Sequence, residues 1–215
     1  MLQVKICGIT AAEQGQAIAQ LGATALGYIC VARSPRYIPL EQIAAITTVI
    51  PDVEHFGVFA NAPIAEILAV ATAAGITVIQ LHGDETIATC QRLRSALATA
   101  NLSKVKLVKA LRIRTAADLE TAITYEPWVD ALLLDAYDPE QLGGTGHTLD
   151  WRSLQTFAPS CPWFLAGGLR PDNVRSALAQ LSPSGIDLSS GVEKSPGNKD
   201  LAKVRQLFDQ LKPLA

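Results

Sequence analysis

At 215 residues the chain suits one domain and is long enough to bury a substantial core. It is 49% hydrophobic and 18% charged with a net charge of -2, so it reads as a soluble globular protein with no basic face for nucleic acid or anionic lipid. No apolar run approaches the ~18 residues of a membrane span and a strand begins within a few residues of Met1, so neither a membrane segment nor a signal peptide is expected.

In chain order, short apolar runs of strand type occur at 4–7, 25–30, 55–60, 77–82, 106–111, 131–135, 163–166 and 185–189. Between them the apolar period lengthens to that of a helix. Ile64, Ile67, Leu68 and Ala71 stand at i, i+3, i+4 and i+7 behind Pro63, and Leu201, Val204, Phe208 and Leu211 repeat the stripe near the carboxyl end. Gly22 and Gly75 sit where helices should stop, and Pro171, Asp172 and Asn173 where one should start. The weakest helix follows the sixth strand, at 151–156. Eight β-then-α units predict an α/β fold: a single (β/α)8 TIM barrel of near-minimal size over 1–215. A doubly wound open sheet competes, but it would usually carry a Gly-rich nucleotide turn after its first strand. Cys7-Gly8-Ile9-Thr10 has a single glycine.

Chemistry in such folds collects at the carboxyl ends of the strands. Two runs end there in a reactive side chain, Lys5-Ile6-Cys7 and Leu132-Leu133-Leu134-Asp135. Strand alternation turns Lys5 with Cys7, Gln80 with His82, Leu133 with Asp135 and Asp187 with Ser189 into the bore. A thiol and a carboxylate facing one mouth suit proton transfer, with no cofactor and no metal needed. Strand eight closes onto strand one, so Lys5 and Asp187 should pair. The ammonium should then favour the Cys7 thiolate and lower that thiol. Cys30, among apolar neighbours, is expected to be structural. None of the four scattered cysteines forms a C-x-x-C, and reduced thiols fit a cytoplasmic protein.

Glycine clusters follow the last three strands: Gly143-Gly144-Thr145-Gly146, Gly167-Gly168, and Gly191 behind Ser189-Ser190. Their backbone N–H groups could approach an anion closely, and barrels frequently bind phosphate after strands seven and eight. Gly144, Gly167, Gly168, Ser189, Ser190 and Gly191 are therefore the expected phosphate ligands. Arg33 and Arg36 lie in the loop after strand two, where an arginine can hold a substrate carboxylate in a bidentate pair. The histidines at 55, 82 and 147 lack metal-ligand spacing. Only His82 is expected in the pocket; His147 reads as loop and His55 as the start of a strand at the far end.

These motifs, together with Ser34-Pro35-Arg36-Tyr37, Gln80-Leu81-His82-Gly83, Gly167-Gly168-Leu169 and Asp187-Leu188-Ser189-Ser190-Gly191-Val192-Glu193 ahead of Ser195-Pro196-Gly197, resemble the phosphoribosylanthranilate isomerases. The matches run in order from residue 3 to residue 200. The resemblance implies an Amadori rearrangement in tryptophan biosynthesis, with Cys7 as general base and Asp135 as general acid. It also implies Arg36 near the anthranilate carboxylate. Lys5, Gln80 and His82, turned into the bore by alternation, are expected as further substrate-binding residues. Ala136 departs from the small hydroxyl residue the family often has there. The expected partner is a small phosphosugar, with no nucleic acid or membrane, and a monomer is expected over a dimer. Competing readings are a sugar-phosphate isomerase of the histidine-biosynthesis type and a catalytically silent phosphosugar-binding barrel. The first would use paired carboxylates and repeat its sequence by halves; the second would not need the thiol and carboxylate.

Overall fold

Strand and helix alternate along the chain: β1 (Gln3–Cys7), α1 (Ala12–Gln20), β2 (Ala25–Ile29), α2 (Leu40–Val49), β3 (Glu54–Phe59), α3 (Ile64–Ala73), β4 (Val78–Leu81), α4 (Ile87–Thr99), β5 (Lys106–Ile113) and α5 (Ala116–Ile123). Then come β6 (Ala131–Ala136), α6 (Trp151–Leu154), β7 (Trp163–Leu165), α7 (Val174–Leu178), β8 (Gly185–Leu188), β9 (Glu193–Ser195), β10 (Asn198–Lys199) and α8 (Leu201–Leu211). This computed structural model describes residues 2–136 and 151–212. Strands β1 to β8 pair in sequence order and close into one parallel barrel, with β8 beside β1. The expected (β/α)8 TIM barrel is the observed fold.

Alternation along the strands builds two apolar cores. Outward residues such as Ile6, Leu26, Ile79, Leu132 and Leu134 lose all exposure beneath the helices. Inward residues, among them Phe56, Val108, Leu133 and Phe164, fill the bore, so it is a packed core and not a channel. Deepest among the polar groups is Lys5, fully buried, which donates to Asp187 at 2.8 Å and lies 5.1 Å over the Phe56 ring. Barrel closure sets Lys5 opposite Asp187 in the ladder, the neighbours strand order requires.

Helix starts carry their own signals. Thr86 accepts from the Thr89 N–H ahead of α4, and Asp200 from the N–H groups of Ala202 and Lys203 ahead of α8. Asp118, in the first turn of α5, reaches back to the N–H groups of Arg114 and Thr115, both at 2.8 Å. Those backbone bonds hold its carboxyl below the ordinary value.

Several boundaries differ from the sequence reading. Strand β5 runs on to Ile113, while the helix expected at 151–156 is the short α6. The β9–β10 hairpin is an addition with no forewarning in the apolar pattern, because its strands are three and two residues long. Also unforeseen is a buried ion pair outside the bore. Lys109 meets Glu85 at 3.0 Å and the Gly83 carbonyl at 2.7 Å, while Glu85 accepts from the N–H groups of Asn61 and Gly83. This pair ties the loops after β3 and β4 to β5.

Candidate active site

At the carboxyl ends of the strands lies a cavity of about 640 Å³, within the size range of small-molecule sites. Cys7 from β1 and Asp135 from β6 both line it. So do Arg33 and Arg36 from the loop after β2, Gln80 and His82 from the end of β4, and Arg112 from β5. Gly167, Gly168, Ser189, Ser190 and Gly191 close another side. The expected residues thus converge, with two qualifications. Gly144, like Asp138, Glu140 and His147, lies outside the described residues. Lys5 is fully buried and is not among the lining residues; it pairs with Asp187, which does line the cavity, so its expected place is taken up by an ion pair at the cavity wall.

Cys7 stands across the ladder from Gly27. A Cβ at residue 27 would meet the Cys7 Sγ at 2.7 Å and the Lys5 Cε at 3.1 Å, so glycine there leaves room for both reactive groups. The electrostatics correct the expectation of a lowered thiol. Burial pushes the Cys7 thiol above its ordinary value, and the opposing charges of Lys5 and Lys199 recover only part of that. Lys5 itself is pulled down by burial, but Asp187 and Cys7 outweigh this and raise it. Lys5 and Lys199 are the two cations placed to favour the thiolate against that burial. Burial pushes the Cys30 thiol up to about 12, and Cys30 does not line the cavity.

Asp135 faces His82, whose Nε2 is 3.3 Å from the carboxylate Oδ2. On the far side of the ring, the Gln80 amide Nε2 is 2.8 Å from His82 Nδ1. The Gln80 amide engages Nδ1, and Nε2 is left to face the Asp135 carboxylate. Gln80, His82 and Asp135 thus form a chain across the mouth. His55 has no part in it. It is buried between the Tyr28 hydroxyl and the Ile50 carbonyl, each at 2.8 Å.

The loops after β7 and β8 abut closely. Gly167 and Gly168 both adopt positive φ, 83° and 64°. A Cβ on Gly191 would fall 2.0 Å from the Leu169 carbonyl oxygen, so this approach is open to glycine alone. Three other groups escaped the sequence reading. Arg112 keeps the inward parity of Val108 and Ala110, a usable signal hidden by ending the strand at 111. Glu193 and Lys199 are buried beside Arg36, brought there by contacts between distant parts of the chain.

Comparison with known proteins places this architecture. The profile described as N-(5'phosphoribosyl)anthranilate (PRA) isomerase matches residues 4–210, from β1 to α8. The chain belongs to the N-(5'-phosphoribosyl)anthranilate isomerase family. It is 57% identical over 211 residues to the isomerase of Nostoc punctiforme, covering 98% of each chain. The crystal structure of the Thermotoga maritima phosphoribosyl anthranilate isomerase superposes with a TM-score of 0.88 at 34% identity, again over 98% of both chains. A structure of a phosphoribosyl anthranilate isomerase in complex with reduced 1-(o-carboxyphenylamino)-1-deoxyribulose 5-phosphate matches at a TM-score of 0.83, 32% identity and 98% of both chains. Among the described residues no cluster of three or more His, Cys, Asp or Glu side chains could hold a metal ion, and no helix is long and apolar enough to cross a membrane.

Proposed function

We infer that this cavity is where the isomerase converts N-(5'-phosphoribosyl)anthranilate to 1-(2-carboxyphenylamino)-1-deoxyribulose 5-phosphate, with Cys7 as general base and Asp135 as general acid. One observation carries this assignment: the thiol and the carboxylate line one cavity that the β7 and β8 glycine loops also line. Asp135 gives a proton to the furanose ring oxygen as the C1'–O bond breaks. The anilinic nitrogen lone pair forms the C=N bond of an iminium. Cys7 then removes the proton from C2', the freed pair forms the C1'=C2' bond of the enolamine as the C=N pair returns to nitrogen, and protonation of C1' with loss of the 2'-hydroxyl proton leaves the C2' ketone. Acid and base must work on different sides of a two-carbon unit. Strands β6 and β1 are three steps apart around the barrel, roughly 135° of arc.

The electrostatics fit the order of steps. Burial raises the Cys7 thiol against the pull of Lys5 and Lys199. Once ring opening creates an iminium cation beside it, the positive charge joins Lys5 and Lys199 in favouring thiolate. Arg36, on the cavity wall, supplies the guanidinium for the anthranilate carboxylate, and Gly167, Gly168, Ser189, Ser190 and Gly191 the phosphate cradle. Gly144 is proposed for the same cradle on its motif alone. A monomeric enzyme is proposed on the sequence reading alone, and four free cysteines fit a cytoplasmic location.

The test is Asp135→Asn, nearly isosteric but without an acidic proton. Turnover, followed by loss of anthraniloyl fluorescence, should fall by ~10² or more. Binding of the reduced product analogue should persist. Near-normal turnover would remove Asp135 from the chemistry.

A further inference from the structure

Arg36 does not stand free on the cavity wall. Its Nε donates to Glu193 Oε1 at 3.0 Å and to Oε2 at 3.1 Å, and its Nη2 donates to Oε2 at 2.7 Å. A guanidinium has two edges that can grip a carboxylate, the side-on edge of Nε with Nη2 and the end-on edge of Nη1 with Nη2. Glu193 occupies the side-on edge. What Arg36 can still offer a ligand is the end-on edge.

Glu193 is itself fixed. The hairpin turns back so that the Gly197 N–H donates to its Oε1 at 3.0 Å and the Lys199 ammonium does so at 2.6 Å. Lys199 is 1% exposed and Glu193 6%, so neither charge is screened by water. Burial alone would raise the Glu193 carboxyl; the hydrogen bonds from Arg36 and the charge of Lys199 overcome that and hold it below the ordinary value. Lys199 matters for a second reason. A glutamate alone would cancel the charge of Arg36 and repel an incoming carboxylate. Two cations on one anion leave a net positive charge at the cavity wall.

We propose that Glu193, neutralised from behind by Lys199, is a positioning residue that turns the end-on edge of Arg36 towards the substrate carboxylate and so makes the pocket selective for N-aryl substrates with an ortho carboxylate. This rests on the assignment of Arg36 to that carboxylate, and the experiment separates the two. Wild type, Arg36→Met and Glu193→Gln are assayed with N-(5'-phosphoribosyl)anthranilate and with N-(5'-phosphoribosyl)aniline, which lacks the carboxylate. Glu193→Gln should raise KM for the anthranilate substrate roughly 10-fold or more, leave kcat within a few-fold, and hardly alter kcat/KM for the aniline.

Equal losses on both substrates would make Glu193 a structural residue and overturn the proposal. If Arg36→Met fails to discriminate between the two substrates, the carboxylate assignment falls and the proposal with it. If Arg36→Met discriminates and Glu193→Gln does not, only the positioning role falls. Should Glu193→Gln not fold, Glu193→Asp keeps the charge beside Lys199 but is one methylene short of Arg36. The same loss of selectivity is then expected, and unchanged selectivity overturns the proposal.

Discussion

Replacing Lys5 by Met tests how the barrel supports its thiol. The substitution keeps the length of the side chain and removes the charge, leaving Asp187 with 8% exposure and no cation at 2.8 Å. Its Oδ1 is already buried without a hydrogen-bond partner, so no spare contact takes up the charge. Breaking a buried pair in this way costs about 3–5 kcal/mol. For a domain of this size that corresponds to a fall in Tm of roughly 6–20 °C. The sign of the linkage is set by Lys5, whose folded value is raised: its contribution is fully present below the ordinary 10.5 and is lost only as pH rises through the folded value. The Tm difference between wild type and Lys5→Met should therefore be flat through neutral pH and shrink in strong alkali. Iodoacetamide labelling of Cys7 gives the second readout. Lys5 is the largest influence favouring its thiolate, so the labelling curve should move to higher pH in the variant. The double variant Lys5→Met/Asp187→Leu removes both charges and should recover part of the lost Tm. A lower Tm with an unmoved labelling curve would show that Lys5 supports the fold and not the thiol, and would refute the reasoning.

Two further outcomes follow from buried contacts. Gly191→Ala puts a methyl 2.0 Å from the Leu169 carbonyl oxygen and must push the β8 loop away from the β7 loop. KM should rise, inhibition by inorganic phosphate should weaken, and a variant with unchanged values for both would remove this loop from phosphate binding. Lys109→Met strands the Glu85 carboxylate, which is 5% exposed, and should cost about 3–5 kcal/mol in urea unfolding. Because Lys109 and Glu85 lie outside the cavity lining, kcat of the folded fraction should stay near wild type.

Where apolar periodicity decides an outcome, the sequence was legible. All eight barrel strands lie where alternation puts them, most of their ends within a residue or two. Parity alone turned Cys7, Gln80, His82 and Asp135 towards one mouth. Even the pairing of Lys5 with Asp187 followed, because closing a barrel makes the last strand the neighbour of the first.

What escaped was of another kind. Glu193 reaches Arg36 across 157 positions of sequence, and Lys109 reaches Glu85 across 24, with only isolated polar letters to mark either contact. A charge in sequence looks the same whether solvated or buried, since its burial is decided by which partner the fold delivers. The thiol shows the same limit in quantitative form. Sequence put a cation two positions from Cys7, and from that alone a lowered thiol follows. Burial of the strand end reverses the sign, because desolvation of the thiolate outweighs the pull of Lys5, which is itself tied to Asp187. The burial that raises the thiol of the proposed base also disfavours its adventitious alkylation and oxidation, both of which need thiolate. In this barrel the burial that overturned the expected shift is thus compatible with the proposed role of Cys7 as general base, the positive charge that favours the thiolate arriving with the ring-opened substrate.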